Sequence, residues 1–186
     1  MPKINQSKIL IIATHGFEQS ELEVPLNQLK KAGASVHVAS LDGKSVRGWD
    51  NKDWGSEVKA DKQITDVNVD DYDAVVLPGG QINPDLLRIE PDVISRIREF
   101  YNKGKVVAAI CHAPWLLIEA GIVKGRDATS YKSIRTDMIN AGVNWKDEQV
   151  VTDKGLITSR HPGDLDAFVS KIIEEVEEGG HMRRAA

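Results

Sequence analysis

A second cysteine is missing from these 186 residues, so no intramolecular disulfide can form, and the sole thiol, Cys111, is expected to stay reduced in a cytoplasmic setting. The opening MPKINQSKILIIATHG lacks the apolar core and small-residue cleavage site of a secretory signal. Long hydrophobic runs are absent too: the longest are strand-sized, against the ~20 residues a membrane helix needs, which argues against a spanning segment. A large excess of one charge sign is also absent. The net charge is only -4 and the lysines and arginines are scattered, so a nucleic-acid-binding surface is not expected. The five histidines show no ligand spacing and there is no cysteine partner for them, so neither a metal nor another cofactor is expected. No G-x-G-x-x-G opens a helix and no Lys-Ser or Lys-Thr follows Gly79, which removes both phosphate-binding motifs.

What remains is ordinary for a globular chain, with 41% hydrophobic and 28% charged residues, enough length for one core and no internal repeat or linker. A single domain over 1–186 is expected, with its core at about 8–176 and a frayed tail at 177–186. The branched apolar run Ile9 to Ala13 predicts a strand buried on both faces. Leu22, Leu26 and Leu29 then recur at helical spacing before Gly33, with Pro25 as the irregularity. Further strands are predicted at 34–40, 72–77, 106–110, near 128–131, and as a pair at 149–151 and 156–159. Helices are predicted from Pro84 or Pro91 to Asn102, over 114–120, around 133–141 and over 165–176. Residues 42–61 read as a hairpin or loop excursion on the sheet edge. Strands alternating with helices predict an α/β fold, a three-layer α/β/α sandwich around a mostly parallel sheet, with ligands at the C-terminal ends of the strands.

Three strand ends carry chemistry. In VVAAICHAPW the apolar strand runs into Cys111 and His112, and Pro114 then opens a helix. A residue on such a turn projects into the cleft, and the helix N-terminus would lower the thiol's pKa, so Cys111 reads as a nucleophile with His112 as its base. Against this, free cysteine commonly serves as a small buried hydrophobe. Pro78-Gly79-Gly80 closes another buried strand; its glycines allow close backbone approach to a ligand, and the N–H groups of Gly80 and His112 could form an oxyanion hole. Glu18 follows the first strand. It reads either as a carboxylate at a helix N-terminus or as a protonated carboxyl donating to the thiol.

Together, Gly16-Phe-Glu-Gln-Ser-Glu-Leu, Ala74-Val-Val-Leu-Pro-Gly-Gly, Ala109-Ile-Cys-His-Ala-Pro and Thr158-Ser-Arg-His-Pro-Gly-Asp-Leu make the chain resemble, from about Lys8 to Val176, the PfpI/ThiJ family of the class I glutamine amidotransferase-like superfamily. The resemblance implies a flavodoxin-like sandwich with Cys111 at the nucleophile elbow, His112 as catalytic histidine, Glu18 bonded to the thiol and Gly80 in the oxyanion hole. It implies a third catalytic member, Asp85, reaching from a neighbouring subunit of a homodimer or hexamer, and a pocket lined by Tyr131 beside Gly79. Ala113 stands where the commoner motif has glycine. The family's activities imply a stress-related hydrolase of small carbonyl adducts on proteins, peptides or nucleotides, of deglycase or glyoxalase type. A peptidase of short or unfolded peptides and a redox sensor or chaperone are the alternatives.

Overall fold

Branched and small apolar residues dominate the five central strands, and their alternation feeds two separate cores, one on each side of the sheet. Leu10 and Ile12 point into one core; Ile9, Ile11 and Ala13 point into the other. The computed structural model describes residues 3–181. In chain order the elements are β1 (Lys8–Ile12), β2 (Phe17–Glu18), α1 (Gln19–Lys31), β3 (Ser35–Ser40), β4 (Val46–Asp50), β5 (Asp53–Val58) and β6 (Lys62–Gln63). There follow β7 (Ala74–Leu77), α2 (Ile82–Leu87), α3 (Pro91–Asn102), β8 (Val106–Ile110), α4 (Pro114–Glu119), β9 (Asp127–Ala128) and α5 (Arg135–Asn140). The last are β10 (Asn144–Trp145), β11 (Val150–Asp153), β12 (Leu156–Ser159) and α6 (Leu165–Glu178).

Seven strands form one sheet in the order β11-β12-β8-β7-β1-β3-β6, parallel throughout except where β11 returns beside β12. On one face α1 and α6 pack Leu22, Leu29, Phe168 and Ile172 against β1, β7 and β8. On the other, α3 and α4 contribute Val93, Ile97, Phe100, Leu116 and Leu117. Each such fully buried side chain contributes roughly 1.5–3 kcal/mol relative to exposure. This is the expected flavodoxin-like sandwich. The chain leaves β1 toward β3 on one side and returns to β7 on the other, so the order reverses between β1 and β7 and leaves a crevice above their C-terminal ends.

Several local expectations are refined. The region 42–61 is a hairpin, with Trp49 opposite Trp54 at 5.5 Å, but β4 pairs with β2 and not with the main sheet. That small sheet has a use: with Gly16 N–H donating to Arg47 O, it ties down the loop that follows β1. The choice between Pro84 and Pro91 dissolves, because each belongs to its own helix, α2 and α3. Pro25 sits inside α1, and having no N–H it leaves the Glu21 carbonyl without its usual helical partner. At the C-terminal end α6 continues to Glu178, past the predicted end at 176, and His181 N–H donates to Gly104 O at 2.8 Å. Residues 182–186 of that expected frayed segment lie outside the described ones. No helix among the described residues is long and apolar enough to cross a membrane.

Candidate active site

Cys111 adopts φ +65°, a left-handed conformation that costs a non-glycine residue about 1–2 kcal/mol. The surroundings enforce it. Cys111 N–H donates to Ser159 O on β12 (3.0 Å), its carbonyl accepts from Tyr131 N–H (2.8 Å), and Ala113 N–H closes the turn onto Ile110 O (3.0 Å). Pro114 then begins α4 with a fixed φ and no N–H to satisfy. Strain held at one residue by its neighbours is a mark of a functional turn, and here it aims the only thiol into the crevice.

Three groups meet that sulfur. The His112 ring turns back so that Nδ1 lies 3.1 Å from Sγ. The N–H groups of Gly80 and His112 donate toward it, so the two donors expected for an oxyanion hole converge on the nucleophile. The third is a carboxyl, and it belongs to Glu21, not Glu18. Glu21 is fully buried; its Oε2 accepts from Gly79 N–H at 2.8 Å, its Oε1 has no hydrogen-bond partner among the described residues, and the carboxyl and the Cys111 thiol lie close enough to interact. Glu18 instead caps α1, accepting from Glu21 N–H (2.9 Å) and the Ser20 hydroxyl (2.5 Å). The sequence assignment of the thiol's partner to Glu18 is therefore corrected to the residue one helical turn on.

Burial raises the Glu21 carboxyl to about 8, helped by the nearby Glu18 charge and opposed by its bond from Gly79. At neutral pH it is protonated and able to donate to sulfur. Burial likewise pushes the Cys111 thiol up, with the Glu21 carboxyl adding to the effect and the Gly80 and His112 N–H groups pulling it back. The acidifying helix end expected from sequence is outweighed by desolvation, so the resting group is a thiol beside a base. Burial holds His112 below its ordinary value, hence neutral and able to take a proton.

Gly79 is confined to glycine by geometry: a Cβ there would stand 2.4 Å from Glu21 Oε2 and 2.6 Å from Cys111 Cβ. Gly80, at φ +85°, could carry no side chain without meeting Gly16 O at 2.6 Å. Asn83, marked by no sequence motif, is buried between two strand ends, accepting from Thr14 N–H (2.8 Å) and donating to Pro78 O (2.9 Å). A cleft of about 450 Å³ opens beside His112, walled by Ile82, Asp85, Leu86, Trp115 and Ser133 among others. Tyr131 stacks on His112 with centroids 4.8 Å apart and Trp115 meets its edge at 5.2 Å. Asp85 shares the cleft but makes no hydrogen bond to His112 within the chain, so the third catalytic member expected there is not assembled by one copy. His112 Nε2 is bonded to the Ser133 hydroxyl at 3.0 Å. Among the described residues, Glu175, Glu178 and His181 bring three possible ligand atoms within 4.8 Å of one another, at the far end of α6 from the thiol.

Residues 7–175 match the sequence profile of the DJ-1/PfpI family. The chain is 43% identical over 167 residues to "Deglycase PfpI" of Pyrococcus furiosus, covering 90% of this chain and 98% of that one. It is 43% identical over 163 residues to "Protein/nucleic acid deglycase 2" of Escherichia coli, covering 87% and 92%. The solved structure of Drosophila melanogaster DJ-1beta superposes with a TM-score of 0.83 at 33% identity, covering 96% of this chain and 95% of that one.

Proposed function

The chain belongs to the DJ-1/PfpI family, and on that premise we propose that it works as one domain, as a cysteine-dependent hydrolase of small carbonyl adducts, such as those on glycated proteins, peptides or nucleotides. The observation that carries this reading is the strained Cys111 thiol, met at once by a neutral base, a protonated carboxyl and two convergent N–H donors. Sγ attacks the electrophilic carbon of the adduct while its proton passes to His112 Nδ1. The carbonyl electron pair moves onto oxygen, where the Gly80 and His112 N–H groups receive it. Glu21 keeps its proton through this step, because two anions side by side in a buried site are unfavourable. The imidazolium gives its proton to the amine or thiol departing from the neighbouring carbinol carbon, as the oxyanion's electron pair re-forms the carbonyl and the sulfur shifts onto that carbon; His112 then moves that carbon's proton to the adjacent carbonyl carbon through an enediol, and water hydrolyses the resulting thioester to lactate and the free thiol. A cleft of about 450 Å³ suits a short adduct better than a folded polypeptide.

The test is release of free thiol or amine from methylglyoxal-treated N-acetylcysteine and N-acetyllysine. The expected result is release faster than the adduct's spontaneous dissociation, with lactate formed in equal amount. Release only at the spontaneous rate would mean scavenging of free aldehyde and would overturn the reading, as would cleavage of unmodified peptides alone. The pH profile adds a second expectation. Because burial holds His112 below its ordinary value, the acid limb of kcat/KM should lie below that of a free imidazole; an acid limb above it would contradict the assignment of His112 as base.

The same proposal extends to assembly and setting. Ile82, Leu86 and Ile89 are exposed around Asp85 on and just beyond α2, an apolar strip beside the cleft that a second copy would cover in a homodimer or hexamer. This would bring Asp85 to the subunit boundary. An unpaired thiol at the centre of the chemistry fits the reducing cytoplasm.

A further inference from the structure

We propose that Ser133 is the positioning residue of His112: its hydroxyl accepts from Nε2–H and presents the bare Nδ1 to the thiol. The inference rests on the reading of Cys111 and His112 as the reacting pair. A neutral imidazole carries one proton, so the group that engages one nitrogen decides what the other can do. With the proton on Nε2 and bonded to Ser133 Oγ at 3.0 Å, Nδ1 faces Sγ at 3.1 Å as an acceptor. In the opposite arrangement Nδ1 would carry the proton and could not take one from the thiol.

The placement of Ser133 is built in. It lies in a short turn between Tyr131 and α5, in which Ile134 N–H donates to Tyr131 O (3.1 Å) and the Ile134 side chain is buried. Tyr131 N–H in turn donates to the carbonyl of Cys111 itself. The loop carrying the hydroxyl is thus tied to the elbow carrying the nucleophile, and the stacked Tyr131 ring fixes the plane of the imidazole between them.

No carboxylate competes for Nε2 within the chain. Of the titratable groups around His112, Cys111 takes Nδ1, Glu21 faces the sulfur, and Tyr131 lies flat on the ring. Asp85 stands across the cleft, and Asp137, on α5, is occupied by Trp115 Nε1 at 2.9 Å. A hydroxyl in that place orients the ring without stabilising the imidazolium as a carboxylate would. That matches a base held neutral by burial.

The test uses the full chain and the variants Ser133→Ala, Ser133→Thr and Ser133→Asp. Nitrogen chemical shifts of His112 report its tautomer, iodoacetamide alkylation of Cys111 against pH reports the pair, and adduct turnover reports catalysis. Ser133 is exposed, so its truncation should leave thermal stability unchanged. The parent should show protonated Nε2. Ser133→Ala should lose that preference and drop kcat by roughly tenfold at nearly constant KM, Ser133→Thr should restore both, and Ser133→Asp should move the acid limb up by about one pH unit. An unchanged tautomer and unchanged alkylation profile in Ser133→Ala would overturn the inference, whatever the turnover. If those two move as expected while no variant and not even the parent turns over adducts, the positioning role stands and the hydrolase reading falls.

Discussion

Replacing Cys111 by glycine is expected to abolish adduct turnover, by roughly a thousandfold or more, and still to leave a protein more stable than Cys111→Ala. Both substitutions remove the sulfur, and both leave a small void worth about 1 kcal/mol. They differ in the backbone. Alanine keeps the penalty of φ +65°, while glycine adopts that angle freely and recovers about 1 kcal/mol of strain. The ranking is checked by urea unfolding of the two variants side by side with turnover assays. A glycine variant less stable than the alanine one would mean that the elbow is not strained. Residual turnover above a few per cent would mean that another group is the nucleophile. Both outcomes bear on one idea: the turn is kept for what its side chain does, at a cost in stability.

The parts of the site that obey short-range grammar were readable from the chain. Cys111, His112, Gly79 and Gly80 all lie within three residues of the end of a strand whose apolar pattern is unmistakable, and parallel strands in such a sheet deliver their C-terminal ends to one crevice. Glu21 escaped because the local signals point elsewhere. Glu18 sits where a helix cap belongs, and it is the cap; its role there consumed the one glutamate that looked placed for function. The signal for Glu21 lay in the helical stripe, since 21, 25 and 29 recur every four residues and Pro25 and Leu29 are buried with it. A carboxyl on an inward stripe is the anomaly to follow. Asn83 and Ser133 left no such trace. Asn83 joins Thr14 to Pro78, 64 residues apart in sequence, and Ser133 reaches His112 from 21 residues away, through a loop tied to the elbow by Tyr131 N–H and to β12 by Thr129 N–H. Asp85 falls between these cases: the resemblance singles it out and it lines the cleft beside His112, but among the described residues no hydrogen bond joins the two.

The second large effect concerns Glu21 and pH. In the folded chain its carboxyl holds a proton up to about pH 8, whereas in the unfolded chain it releases it near the ordinary 4.5. Between those values the folded state therefore binds more protons than the unfolded one. The stability contributed by Glu21 is complete below about pH 4.5 and declines as pH rises toward 8, by about 1.4 kcal/mol per pH unit at the steepest. Glutamine removes the titration without emptying the site, because its amide oxygen can accept from Gly79 N–H and its NH₂ can face the sulfur. Glu21→Gln is thus expected to gain stability relative to the parent steadily from pH 5 to pH 8, by a few kcal/mol in all. Contributions from titrating groups that Glu21 does not influence cancel in the difference. Glu21→Ala should behave otherwise: it strands the buried Gly79 N–H and opens a cavity, costing about 2–4 kcal/mol. Without the neighbouring carboxylate, Cys111 should also ionise more easily, so its alkylation in Glu21→Gln should quicken at mildly alkaline pH. Urea curves at pH 5, 6.5 and 8 decide the matter. Parallel stability profiles for parent and Glu21→Gln would show that Glu21 is already ionised in the folded protein, and a carboxylate in that position would repel the very thiolate that the chemistry has to form.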